Sequence, residues 1–165
     1  MNVGIVGFGS IGTEVAKALI KGVEDFSFYG VTSRSKANAQ ERIDKLDKNI
    51  EIYDLDNLVD NCEIIIDCAP KEAFREIATK CINKQRKLIT VSGSGMLDNL
   101  DLEKLAKNNN SQIILATGAI LGLDALRAAS ESNINSVTMI TRKPPNALTN
   151  APVSYTHLRA HETYV

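Results

Sequence analysis

Short β-branched runs alternate with segments of helical periodicity over more than 100 residues, and few architectures accommodate that order. Residues 2–6 form a β-rich run that ends at Gly7, and Ile11, Val15, Ala18 and Leu19 follow at helical spacing. Residues 26–32 form a second run ahead of a polar helical stretch over 36–46, and residues 50–53 read as a short strand. Residues 63–68 (E-I-I-I-D-C) are largely apolar and β-branched, as suits a strand buried on both faces. Pro70 then stands at a first helical position, with the helix extending to about Lys84. A strand over 88–91, a helix over 100–107 and a strand over 112–116 complete the pattern. It predicts a parallel sheet covered on both faces and joined by right-handed crossovers, a doubly wound α/β domain.

Such sheets bind ligands at the carboxyl ends of their strands. Those ends carry the glycine-rich turn 7–12, Ser33 and Arg34, Cys68, Ala69 and Pro70, the S-G-S-G segment 92–95, and Thr117, Gly118 and Ala119. All five loops are therefore expected on one side of the sheet.

Gly7, Phe8, Gly9, Ser10, Ile11 and Gly12 fit G-x-G-x-x-G directly after a first strand and at the start of a helix. In that setting Gly7 permits the tight turn and Gly9 lets a pyrophosphate approach the backbone. Gly12 allows close packing of helix on strand, and the helix N-terminus offers free N–H groups to the phosphates. The expectation is a Rossmann domain that binds NAD or NADP; the alternative is a glycine-rich turn without a ligand. A free ribose 2′-hydroxyl calls for Asp or Glu at the end of the second strand, but residues 31–35 read V-T-S-R-S. Ser33 can hydrogen-bond a 2′-phosphate and Arg34 can pair with it, which leans towards NADP. An ordinary surface role for Arg34 stays open, and with it NAD.

Cys62, Cys68 and Cys81 are too few, and wrongly spaced, for a disulfide framework or a zinc site. Cys81 falls in register with Phe74, Ile77 and Ala78 and reads as a core residue. Cys68, at a strand end, is expected to line the cofactor rather than act as a nucleophile. The only histidines, His157 and His161, lie far from it in sequence. No metal site is expected, and the thiols suit the reducing cytoplasm. Nineteen Lys and Arg against 20 Asp and Glu leave a net charge of -1, with no basic excess for nucleic acid. Aromatics are only 5% of the 165 residues, too few for a base-stacking surface. No apolar run approaches the ~20 residues of a membrane span, and glycines interrupt the first apolar run too early for a signal peptide.

Residues 112–129 (Q-I-I-L-A-T-G-A-I-L-G-L-D-A-L-R-A-A) are similar to the S-G-A-I-G-G-L-D-A-L-R-A-A segment of L-aspartate dehydrogenases. Residues 137–145 (V-T-M-I-T-R-K-P-P) resemble that family's T-R-K-P-P block. Thr117 and Leu121 stand where the family has Ser and Gly, and residues 92–95 replace a segment closer to S-V-G-A. The resemblance implies hydride transfer between the α-carbon of L-aspartate and C4 of NAD(P). The product would be iminoaspartate, which hydrolyses to oxaloacetate or feeds NAD biosynthesis. It places Ala119 beside the nicotinamide and Asp124 near the start of a helix over 119–129, and it implies a homo-oligomeric full-length enzyme. Arg142 and Lys143 hold a dicarboxylate or are ordinary surface charges.

The division expected is a nucleotide-binding domain over 1–117, then the first helix and strand (137–140) of a truncated α+β substrate domain over 118–151. The tail 152–165 has no periodicity and resembles a translated sequencing adapter. The family's catalytic histidine lies downstream of T-R-K-P-P, so this stretch is expected to bind cofactor without catalysis. The alternatives are another aspartate-pathway dehydrogenase, of the homoserine dehydrogenase or dihydrodipicolinate reductase type, or a non-catalytic NAD(P)-binding module.

Overall fold

Five of the β-branched runs pair, all in parallel. In the computed structural model, which describes residues 1–46, 48–117, 122–138 and 140, they are β1 (Asn2–Val6), β2 (Ser27–Thr32), β3 (Ile64–Asp67), β4 (Lys87–Thr90) and β5 (Gln112–Leu115). The sheet order is β2-β1-β3-β4-β5, with Val6 opposite Thr32 and Asp67, and Asp67 opposite Thr90. The chain divides into two compact units, Met1–Leu121 and Gly122–Val165.

The strand expected over 50–53 is reduced to one parallel bridge, between Val31 and Ile52. Val31 donates its N–H to the Glu51 carbonyl at 3.0 Å, and Tyr53 donates to the Val31 carbonyl at 2.8 Å. Asp54 then caps a helix, accepting from the Asn57 N–H at 2.7 Å, and this turns the chain away before a longer ladder can form. Counting Ile52, the strands follow the Rossmann order, with the reversal beside β1.

Alternation along the central strands builds two cores. Val6 and Ile65 belong to one, with Leu58, Phe74, Ile77, Cys81, Ile82, Leu88 and Leu102. Ile5 and Ile66 belong to the other, with Phe8, Ala16, Val31, Ala39 and Ile43. Successive strand residues point to opposite faces, so both faces must be covered, and the helices do it. α1 (Ser10–Lys21) and α2 (Lys36–Ile43) cover one, while α3 (Leu55–Asn61), α4 (Phe74–Asn83), α5 (Gly93–Leu97) and α6 (Asp101–Asn108) contribute to the other. Pro70 precedes a 3-10 turn, Lys71–Ala73, rather than α4 itself.

Neither α3 nor α5 was expected. The first is seven residues rich in Asp and Asn, and it forms because its cap and the burial of Leu58 and Val59 outweigh weak propensity. The second begins G-S-G, which reads as a turn. In the second unit α7 (Leu123–Ala129) starts after Gly122, which has φ +80, and holds Asp124 in its first turn. Of the strand expected over 137–140, Val137, Thr138 and Ile140 are without regular structure, and Met139 lies outside the described residues. No strand partners them among the described residues, and an extended segment without a partner leaves its backbone groups to water.

Candidate functional site

The glycine turn lies between the ends of two neighbouring strands. Gly7 has φ +86 and donates its N–H to the Thr32 carbonyl at 2.9 Å, which ties the end of β1 to the end of β2. On its other side a Cβ would lie 2.6 Å from the Ala69 nitrogen, so the turn is seated directly on the chain leaving β3. Gly12 is buried, and a Cβ there would collide with the Gly7 carbonyl oxygen. A glycine at this point lets α1 close onto the turn.

Gly9 differs from both. It caps α1 with φ -87, a conformation open to any residue, and a Cβ there would meet nothing within 4 Å. α1 has no side-chain cap and no acid in its first turn. Its first N–H groups therefore face open space, the arrangement that receives phosphate at helix N-termini. Ser10 and Ile11 are exposed at that end, and a groove of about 640 Å³ between α1 and α2 takes in Ser10 and Thr13 together with Glu14, Lys17, Glu41 and Arg42. Phe8 points the other way. Its side chain is buried in the core with Ile5, Ala16 and Val31, so only its backbone can belong to the crevice.

Ser33 and Arg34 follow Thr32, whose carbonyl holds Gly7; Ser33 is half-buried and Arg34 exposed. Ser35 caps α2, accepting from the Asn38 N–H at 3.4 Å. Cys68 continues the ladder by donating its N–H to the Val6 carbonyl at 2.7 Å. Burial, and then the neighbouring Asp67, push its thiol up to about 11. It stays protonated near neutral pH, which suits a lining residue rather than a nucleophile. Cys81 is fully buried, with its thiol pushed up to about 12 by burial. Ala119 lies outside the described residues.

Asp67 is a further residue of the crevice, and no motif marks it. It is fully buried, and its oxygens accept the Ala69 N–H at 2.9 Å and the Thr90 hydroxyl at 2.7 Å. Thr90 Oγ1 in turn accepts the Ser92 N–H at 3.0 Å. The available signal was a lone acid closing an otherwise apolar strand. Burial raises the Asp67 carboxyl above its ordinary range, against the lowering effect of the bonds from Thr90 and Ala69. A raised folded-state pKa means that the contribution to stability is full at low pH and is lost as pH rises through the raised value. Thermal unfolding of Asp67→Asn should therefore improve relative to wild type as pH rises above the ordinary carboxyl range of about 4. A difference in Tm that stays flat as pH rises from that range would contradict a raised pKa.

A parallel sheet in this order, with a glycine turn at the reversal and an open helix N-terminus above it, defines the dinucleotide-binding fold of dehydrogenases. Residues 7–116 match the family model described as "Homoserine dehydrogenase, NAD binding domain". The sequence is 39% identical to an L-aspartate dehydrogenase of Bradyrhizobium diazoefficiens over 92% of this chain and 54% of that protein. It is 35% identical to an L-aspartate dehydrogenase of Methanocella arvoryzae over 91% of this chain and 57% of the relative. A crystal structure of a homoserine dehydrogenase from Thiobacillus denitrificans shares the fold, with TM-score 0.65 and 14% identity over 79% of this chain and 32% of that one. The chain belongs to this family of dehydrogenase NAD-binding domains, and it is similar in sequence to L-aspartate dehydrogenases. It spans about half the length of the curated relatives it matches.

Proposed function

We propose that this chain is the cofactor-binding part of an NAD(P)-dependent L-aspartate dehydrogenase, which oxidises aspartate to iminoaspartate. The observation that carries the substrate is the similarity to L-aspartate dehydrogenases, which runs past the nucleotide domain and covers 92% of the chain. The observation that carries the cofactor is the open space beside Gly9 at the uncapped N-terminus of α1. A pyrophosphate in that space would take hydrogen bonds from the first N–H groups of α1, with Gly7 holding the turn against β2 and β3. When bound, the nicotinamide supplies the acceptor for the hydride that leaves the aspartate α-carbon. Cys68 and Ala69 would line the crevice beside it. We assign Ala119 to the nicotinamide end by resemblance, and residues 118–151 to the start of a substrate domain.

The preference we assign is NADP. No carboxylate ends β2, and exposed Arg34 with half-buried Ser33 stands beside the turn. A carboxylate there would repel a 2′-phosphate, whereas a guanidinium can bind it in a bidentate pair. Arg34→Ala should weaken NADP more than NAD by about 1.5–3 kcal/mol, the range for hydrogen bonds to charged groups. Titration of both cofactors into both proteins measures the difference. Equal weakening would make Arg34 an ordinary surface residue.

The 165-residue chain by itself should bind cofactor and turn over no aspartate. Attack of water on the imine needs a base that titrates near neutral pH, a role suited to His. His157 and His161 both lie outside the described residues, in a stretch without a packing pattern. Fusing residues 1–150 to the C-terminal part of the Bradyrhizobium relative should give aspartate-dependent formation of reduced cofactor. The same assay on the chain alone should give none, with or without residues 152–165. Turnover by the chain alone would locate the base within it, and a folded, cofactor-binding fusion that ignores aspartate would remove the substrate assignment.

A further inference from the structure

Asp67 is the one fully buried carboxylate among the described residues, and it enters none of their ion pairs. Its two oxygens reach two different loops. Oδ1 accepts the N–H of Ala69, the residue against which Gly7 is seated. Oδ2 accepts the Thr90 hydroxyl, and Thr90 Oγ1 accepts the N–H of Ser92, which caps α5. Both links end on crevice loops: the Ala69 N–H and the Thr90 hydroxyl donate to the carboxylate, and the Ser92 N–H donates to Thr90. Stability alone does not call for an acid here. A buried charge without a cation is dearly desolvated, and an apolar residue of similar volume would spare that penalty.

We propose that Asp67 is a positioning residue for the cofactor, holding the loop after β3 under the glycine turn and the loop after β4 beside it in one fixed arrangement. This rests on the glycine turn being the cofactor's seat. The connection matters rather than the charge. In Asp67→Asn the amide oxygen keeps the Ala69 bond, while its NH2 donates to Thr90 Oγ1, which still accepts from Ser92. Thr90→Val cuts the branch to Ser92 and leaves Ala69 held. Asp67→Ala cuts both.

Calorimetric titration of NADH and NADPH into the 165-residue wild type and the three variants tests this, with amide exchange at Ala69 and Ser92 followed in the free proteins. Wild type should bind, and Thr90→Val should lose roughly tenfold in affinity with faster exchange at Ser92 alone. Asp67→Ala should lose at least as much, with faster exchange at both amides, and Asp67→Asn should stay within about threefold of wild type. If wild type binds and folded Thr90→Val binds equally well, the network serves the fold alone and the proposal is overturned. If Asp67→Asn is as impaired as Thr90→Val, the charge acts and not the connection, which also overturns it. If wild type binds neither cofactor, the assignment of the glycine turn falls and takes this inference with it. Thr90→Val and Asp67→Asn decide the matter even if Asp67→Ala does not fold.

Discussion

Gly7→Ala should unfold the domain well below the temperature at which wild type melts. Two independent penalties meet at this position. A side chain at φ +86 costs about 1–2 kcal/mol, because Cβ crowds the following carbonyl. The new methyl would also lie 2.6 Å from the Ala69 nitrogen and 2.7 Å from the Cys68 carbonyl carbon, backbone atoms that cannot rotate aside. Forcing them apart adds about 1–3 kcal/mol. A loss of about 2–5 kcal/mol is a large part of the 5–15 kcal/mol that holds a domain together. Thermal or urea unfolding should show a Tm lower by about 10 °C or more. A Tm within about 2 °C of wild type would mean that the turn is not seated on β3 as described.

Gly9→Val should do the opposite, sparing the fold and abolishing the binding of cofactor. The backbone there is extended, and the added Cβ meets nothing, so only the weaker cap is lost, at about 1 kcal/mol. The branched side chain would instead occupy the space a pyrophosphate must enter. A loss of roughly two decades in affinity, about 2.7 kcal/mol, is expected for either cofactor. Saturating NADPH should therefore raise the Tm of wild type and leave that of the variant unchanged. An equal rise in both would put the phosphate site elsewhere.

The contrast between these glycines could be read from the sequence, because G-x-G-x-x-G between a strand and a helix assigns each one a distinct task. The alternating pattern likewise carried the parallel sheet, since its strand and helix signals are local. What depended on partners was hidden. Val137, Thr138 and Ile140 look like part of a strand, yet β-branched composition does not make one without a neighbour, and no described strand pairs with them. Phe8 sits inside the motif, but its side chain faces the core, a direction that spacing does not encode. Asp67 was legible only as an acid at the end of an apolar run. Its links to Ala69 and Thr90 exist because β3 and β4 lie in register, which no stretch of sequence reveals alone.

Calorimetric titration of NADPH and NADH into wild type and Gly9→Val, side by side, decides whether the glycine turn seats the cofactor. Wild type should show saturable binding of one cofactor per chain, tighter for NADPH, and Gly9→Val should show none over the same concentrations while it remains folded. Absence of binding to folded wild-type protein, or equal affinities in the two proteins, would contradict that role for the turn.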